Sequence, residues 1–453
     1  MVRILEAINR VVCGVPSLIM IIGVGMYLTV RTRFAQILLF PRALKSFAKQ
    51  FAGRDLKDAG TSSYQALCTA LAATVGTGNL AGVAGALTIG GPGAIFWMWV
   101  CGILGMATKF AEATLAVRYR IKKKGDMFVG GPMYMIEKGL PGRYRSLAVI
   151  YCLFGGIAAF GVGNATQVNA AVGGINSAMQ AYNRELTEMD TLLVGVILAI
   201  VIAVMLMGGM KRIGRITEQL VPIASVFYIL LCMGVLIMYR GSVGNAFSAI
   251  FQGAFDPQAV TGGSVASVLI ALRVGAARGV FTNEAGLGTA GIAHASAKVN
   301  HPVEQGLMGI MEVFLDTIVI CTMTALVILC SGIEIPYGSD NGASLTTAAF
   351  ARVYGGWVSI PLAISLCLFA VASILGWGLY GGRCLQYLFG EKAWKPFVIL
   401  QSAVVVVGAC LQTGTIWLLA EIVNALMAIP NLTALVLLCP ELVRLVEVYR
   451  NRQ

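Results

Sequence analysis

The chain has 453 residues, 58% of them apolar and 12% charged, with a mean hydropathy of +0.81. These values lie outside the range of water-soluble domains and predict a single polytopic membrane domain over 1–453, with the lipid bilayer as its surroundings. A formal net charge of +12 would suggest nucleic acid in a soluble protein; here the basic residues sit between apolar runs, so they encode membrane orientation and no nucleic-acid partner is expected.

Eleven apolar runs follow in order, near 14–32, 62–89, 93–118, 146–178, 190–208, 216–239, 263–297, 304–331, 357–388, 394–411 and 413–438. Each is long enough to cross about 30 Å of hydrocarbon. The first follows Arg3, Glu6 and Arg10 with no small-residue cleavage site and is too long for a signal core, so it reads as a retained span. Seven basic residues between Arg31 and Lys57 follow span one, and eight between Arg118 and Arg145 follow span three. Alternation puts the loop residues Lys211, Arg212 and Arg215 on that same side, with Lys298, Arg383 and the C-terminal Arg444, Arg450 and Arg452. The basic side is cytoplasmic, which places the N-terminus outside and the C-terminus inside. Eleven cysteines are scattered singly with no Cys-x-x-Cys pair, so neither a disulfide nor a metal framework is expected.

Span two is interrupted at Gly76-Thr77-Gly78-Asn79. Glycine weakens a helix by roughly 1 kcal/mol per residue, and Thr and Asn offer the freed backbone local hydrogen bonds, so unwinding here is inexpensive. Unwound backbone within a bilayer must line a cavity or be buried in protein. The inner half ends near Ala72 to Val75 in carbonyl oxygens that favour an ammonium or a small hard cation, and the outer half opens on N–H groups that favour a carboxylate. One turn thus fits both charges of an amino acid. The competing reading is that the glycines only allow close helix packing.

Further along, Gln167 in span four points into the bundle, either toward a carboxylate or toward a neighbouring helix. Span seven, from Ala271 to Gly288, combines four glycines with Arg273, Arg278 and Glu284; Arg278 and Glu284 could pair across a break or gate it. Gly275 and Phe281 are the better substrate contacts, one admitting the ligand to backbone and the other forming an apolar wall. Asp316 in span eight and Glu421 in span eleven are isolated acids, each able to bind an ion, carry a proton or anchor a helix. In span nine Ser373 and Trp377 share a helix face, a hydroxyl for a cation and an indole to cap a small pocket. His294 and His301 read as solvated loop residues.

Spans two and seven, the two with glycine-rich interruptions, stand five apart and head equivalent halves over 62–239 and 263–438. An odd number of crossings reverses direction. The expected fold is an all-α membrane protein of 11 transmembrane helices, a five-plus-five inverted repeat (spans 2–6 and 7–11) with discontinuous helices 2 and 7. No phosphate-binding Gly-rich loop with Lys-Ser/Thr is present, so an ion gradient is the expected energy source. An intramembrane enzyme would need a nucleophile and base, or metal ligands, at one depth, and none converge.

Six segments carry a resemblance: Ala70 to Asn79, Gly90 to Trp99, Gly130 to Tyr134, Asn283 to Gly288, His301 to Gly306 and Leu426 to Asn431. Over nearly its whole length the chain resembles the alanine or glycine:cation symporters, usually sodium-coupled, which are similar in fold to the leucine transporter. The resemblance implies that Thr77, Gly78 and Asn79 meet a substrate carboxylate and Thr74 the amino group. Gln167, Gly275, Phe281 and Trp377 would complete the pocket. Sodium would sit between the carbonyls of Ala72, Val75 and Ala370 and the Ser373 hydroxyl, as a co-transported ion with no further cofactor. The chain departs from relatives at Gly378 to Gly382, which lacks a local acid, and at Glu421, where Asp is common. The expected activity is sodium-driven import of a small neutral amino acid, alanine of either hand or glycine, by alternating access. The alternatives are a carrier of glutamine or another larger neutral amino acid, or proton coupling through Asp316 or Glu421.

Overall fold

The computed structural model describes residues 9, 14–52, 61–123, 127–263, 265, 267–338, 342–411 and 413–451, without the side chains of 342–343, 413–418 and 420. Arg3, Glu6, Arg10, Arg54, Lys57, Lys124 and Arg452, which enter the charge argument, lie outside these residues, as does Cys13. The ten described cysteines are free thiols.

Helices account for nearly all described elements. Those that frame the site and the candidate spans include α1 (Val15–Arg31), α2 (Ser63–Thr74), α3 (Val83–Gly90), α4 (Gly93–Arg118), α5 (Arg145–Phe160), α6 (Thr166–Gln180), α7 (Glu188–Met207) and α8 (Gly209–Met238). After these come α9 (Val268–Asn283), α10 (Thr289–His294), α11 (Pro302–Val313), α12 (Thr322–Cys330), α13 (Ser359–Phe389), α14 (Trp394–Cys410), α15 (Thr413–Leu437) and α16 (Cys439–Asn451). Local chemistry sets several starts. Ser62 caps α2 by accepting from the Gln65 N–H at 2.9 Å, Thr187 and Asp190 form a reciprocal cap on α7, and Ser267 caps α9.

Among the described residues, seven helical stretches are long and apolar enough to cross a bilayer, or nine if each of two bent pairs is one span. Eleven were expected from hydropathy. The difference lies in two places: α1 has only 17 residues, and the seventh candidate is divided into 16- and six-residue pieces. Lys211, Arg212 and Arg215 lie in the opening turns of α8 instead of a loop, and a helix occupies Phe40–Phe51 after α1. One antiparallel hairpin departs from the all-helical pattern, β1 (Ile121–Lys123) pairing with β2 (Met127–Val129) in the register Ile121 to Val129.

Two helices organise the interior. α4 packs between α9 and α11, while α13 runs against α2, α5, α6 and α8. Small residues permit these approaches: a Cβ at Gly275 would come within 2.2 Å of the Ala94 carbonyl oxygen, and one at Gly163 within 2.2 Å of the Trp377 Cβ. Three π-helical turns occur among the described residues, Gly78–Gly82, Gly161–Ala165 and Phe314–Cys321. Each widens a helix where a polar side chain turns inward.

Candidate functional site

The second candidate span is broken where glycine chemistry predicts it. α2 ends at Thr74, Val75 is extended (φ −76°, ψ 103°), and the helix resumes through Gly78–Gly82 into α3 at an angle of 54°. The Gly76 N–H, which a continuous helix would give to Ala72, donates to Asn79 Oδ1 at 2.8 Å. Likewise the Asn79 N–H donates to the Gly76 carbonyl at 3.2 Å, leaving the Val75 carbonyl without its helical donor.

Around this turn the side chains are buried and mostly paired. Thr77 Oγ1 donates to Gln167 Oε1 at 3.2 Å, and Gln167 Nε2 donates back to the Val162 carbonyl at the π-helical turn before α6. Gly78 lies against the Phe281 ring, where a Cβ would sit 3.4 Å away. A Cβ at Gly76 would come within 2.7 Å of Ser373 Oγ on α13. That hydroxyl is buried and has no hydrogen-bond partner among the described residues. Thr74 Oγ1 reaches back only at 3.4 Å to the Ala70 and Leu71 carbonyls of its own helix.

The second break follows Asn283. Glu284 is left-handed (φ 53°), Gly286 and Gly288 have φ of +99° and +76°, and α10 then begins. Glycine is required at the latter two, because a side chain is strained there. Glu112 on α4 holds the unwound segment: its Oε1 accepts from the N–H groups of Gly286 and Gly288, both at 3.0 Å, and from Asn431 Nδ2 at 2.8 Å. Behind it Lys109 pairs with Glu312 at 2.8 Å, both side chains fully buried, and Glu312 also meets His294 Nε2 at 3.0 Å.

The structure thus brings Thr77, Gly78, Asn79, Gln167, Phe281 and Ser373 to one turn, with Ala72 and Val75 buried as the chain enters it, Ala370 buried three residues before Ser373 on α13 and Trp377 one turn after it. Gly275 does not join them. The close approach it permits is made by Ala94 and Trp97 of α4, more than two turns before the break. Glu284 does not pair with Arg278: it stands past the end of α9 in the left-handed conformation, and its carboxylate accepts instead from Trp377 Nε1 at 2.8 Å and Thr289 Oγ1 at 2.7 Å. Asp316 is not isolated either, since Asn79 Nδ2 donates to it at 2.6 Å, and Glu421 accepts from Asn9 Nδ2 at 3.0 Å.

Both histidines are buried, His294 at the end of α10 between Glu312 and Gln305 and His301 as the cap of α11, although the loop between them is exposed at Lys298 and Asn300. Sequence reasoning passed over Lys109, Glu112 and Glu312. Their signal was charge within an apolar run, which at membrane depth demands a partner from another helix.

A family model described as the sodium:alanine symporter family matches residues 1–453. The sodium/alanine symporter AgcS of Methanococcus maripaludis is 43% identical over 444 residues, covering 96% of this chain and 94% of its own. An uncharacterized transporter of Haemophilus influenzae is also 43% identical, covering 96% and 92%. Among solved structures, MhsT in complex with L-phenylalanine superimposes with a TM-score of 0.61 at 15% identity, over 84% of this chain and 90% of that one. At that identity the likeness speaks for the fold, which is of the leucine-transporter type. Whole-length sequence agreement and two interrupted helices at one buried site meet in a single conclusion: the chain belongs to the sodium:alanine symporter family.

Proposed function

We propose that this multi-pass membrane protein imports a small neutral amino acid, alanine or glycine, together with sodium by alternating access. The observation that carries the reading is the buried, unpartnered Ser373 hydroxyl facing Gly76, where the Ala72 and Val75 carbonyls lose their helical donors. An unsatisfied buried polar group costs about 1–3 kcal/mol. A hard cation taking oxygen from Ser373 and the carbonyls of Ala72, Val75 and Ala370 would offset that cost. The substrate carboxylate would meet Thr77, Gly78 and Asn79, its amino group Thr74, and its side chain the wall of Phe281, Gln167 and Trp377. Gly275 contributes helix packing in this reading. The two repeats would span 62–239 and 263–438, in an inner membrane with the N-terminus outside. A positive charge moving inward gains about 2.3 kcal/mol per 100 mV, and a tenfold ion gradient adds roughly 1.4 kcal/mol, sufficient for concentrative uptake.

Uptake of labelled alanine, glycine and glutamine into proteoliposomes, with sodium and proton gradients imposed separately, tests the reading. Sodium-driven alanine or glycine uptake is the expected result; uptake driven by protons alone, or preference for glutamine, would replace it with a rival carrier. Ser373→Ala should raise the sodium concentration for half-maximal uptake by roughly tenfold, the loss of one good oxygen ligand. Trp377→Ala should admit larger side chains while leaving the sodium dependence in place. If alanine and glutamine uptake fell equally in that variant, the indole would not be a size filter.

A further inference from the structure

Glu284 is one of four non-glycine residues with positive φ among those described, and it is buried. Such a conformation is disfavoured for a residue with a Cβ and persists only where surrounding contacts impose it. Its backbone N–H donates to the Val280 carbonyl and its carbonyl accepts from the Leu287 N–H, and its side chain makes two more bonds. Oε1 accepts from the Trp377 indole at 2.8 Å, and Oε2 accepts from Thr289 Oγ1 at 2.7 Å on the restarted helix. The indole itself is 1% exposed and lies against Gly163, where no Cβ fits, with Tyr380 edge-on at a centroid distance of 5.9 Å.

We infer that Glu284 is a specificity-determining positioning residue, a carboxylate that fixes the Trp377 indole and thereby sets the largest side chain the pocket accepts. The inference rests on the proposed amino-acid site. Packing against Gly163 and Tyr380 limits where the ring can lie, and the one bond its N–H makes, to Glu284, adds a directional constraint. An indole has a single donor and no acceptor, so removing the carboxylate leaves that donor unpaired and takes away the directional hold on the ring. Glutamine preserves the arrangement: its oxygen accepts from the indole and its NH2 donates to the Thr289 hydroxyl.

The test uses the full chain in proteoliposomes and compares uptake of glutamine with uptake of alanine. Glu284→Ala should raise the glutamine-to-alanine ratio roughly tenfold, the value of one buried hydrogen bond. Glu284→Gln should return the ratio to within about twofold of the parent, as expected of a residue that acts through hydrogen-bond geometry. Trp377→Phe lacks the N–H, so Glu284→Ala added to it should change the ratio no further; an additive change would overturn the inference. A second readout needs no transport. In 5-fluorotryptophan-labelled protein, the resonance that Trp377→Phe removes should shift in Glu284→Ala and return in Glu284→Gln. An unmoved resonance in Glu284→Ala overturns the positioning role even where that variant transports poorly. If the parent protein takes up neither alanine nor glycine, the functional reading fails while the fluorine spectrum still decides whether Glu284 holds the ring.

Discussion

Lys109→Met is expected to lower the apparent Tm of the purified protein by roughly 3–5 °C, because it leaves the buried Glu312 carboxylate without its ion-pair partner. Lys109 and Glu312 are fully buried and 2.8 Å apart, and they bridge α4 to α11, one of the main packing surfaces of the bundle. Breaking such a pair from one side typically costs about 3–5 kcal/mol, whereas removing both charges together is often nearly neutral. Lys109→Met combined with Glu312→Gln should therefore recover much of the loss, since the amide oxygen still accepts from His294 Nε2. A double variant no more stable than the single one would show that the bonding geometry, not the unpaired charge, carries the stability.

Glu112→Ala is expected to abolish uptake while leaving membrane insertion intact. The Glu112 carboxylate is the acceptor for two N–H groups of the unwound segment and for Asn431. Without it both backbone donors are unsatisfied at membrane depth, at roughly 1–3 kcal/mol each, enough to favour a different winding after Asn283. Glu112→Gln keeps one acceptor oxygen and should retain measurable uptake. Wild-type rates in Glu112→Ala would mean that the unwound segment holds its shape without this carboxylate.

The two breaks were legible because their chemistry is local: Gly76-Thr77-Gly78-Asn79 and the glycines at 286 and 288 weaken helix within a few residues of where winding fails. Partners were not legible where they lie far apart in the chain. Lys109 meets Glu312 across 203 positions and Trp377 meets Glu284 across 93, so neither pairing leaves a trace in spacing or periodicity. The histidines show the same limit from the other side. His294 looks like the end of a span when read alone, and only the acid from α11 and the amide of Gln305 make its burial affordable. Gly275 misled for a related reason, because a glycine that admits a ligand and one that admits the Ala94 carbonyl are identical in sequence.

Asn79 has a consequence for how the molecule moves. Starting from the Gly76 N–H, an unbroken series of buried bonds runs through Asn79, Asp316, Thr317 and Asn283 to the Ala285 N–H. The loosened turns of two separate helices are therefore stitched to each other by protein atoms alone. Rewinding either one tears at least one stitch, at about 1–3 kcal/mol if nothing replaces it. A change in which one turn tightens while its counterpart stays slack is penalised, which ties the winding of the two broken helices to each other.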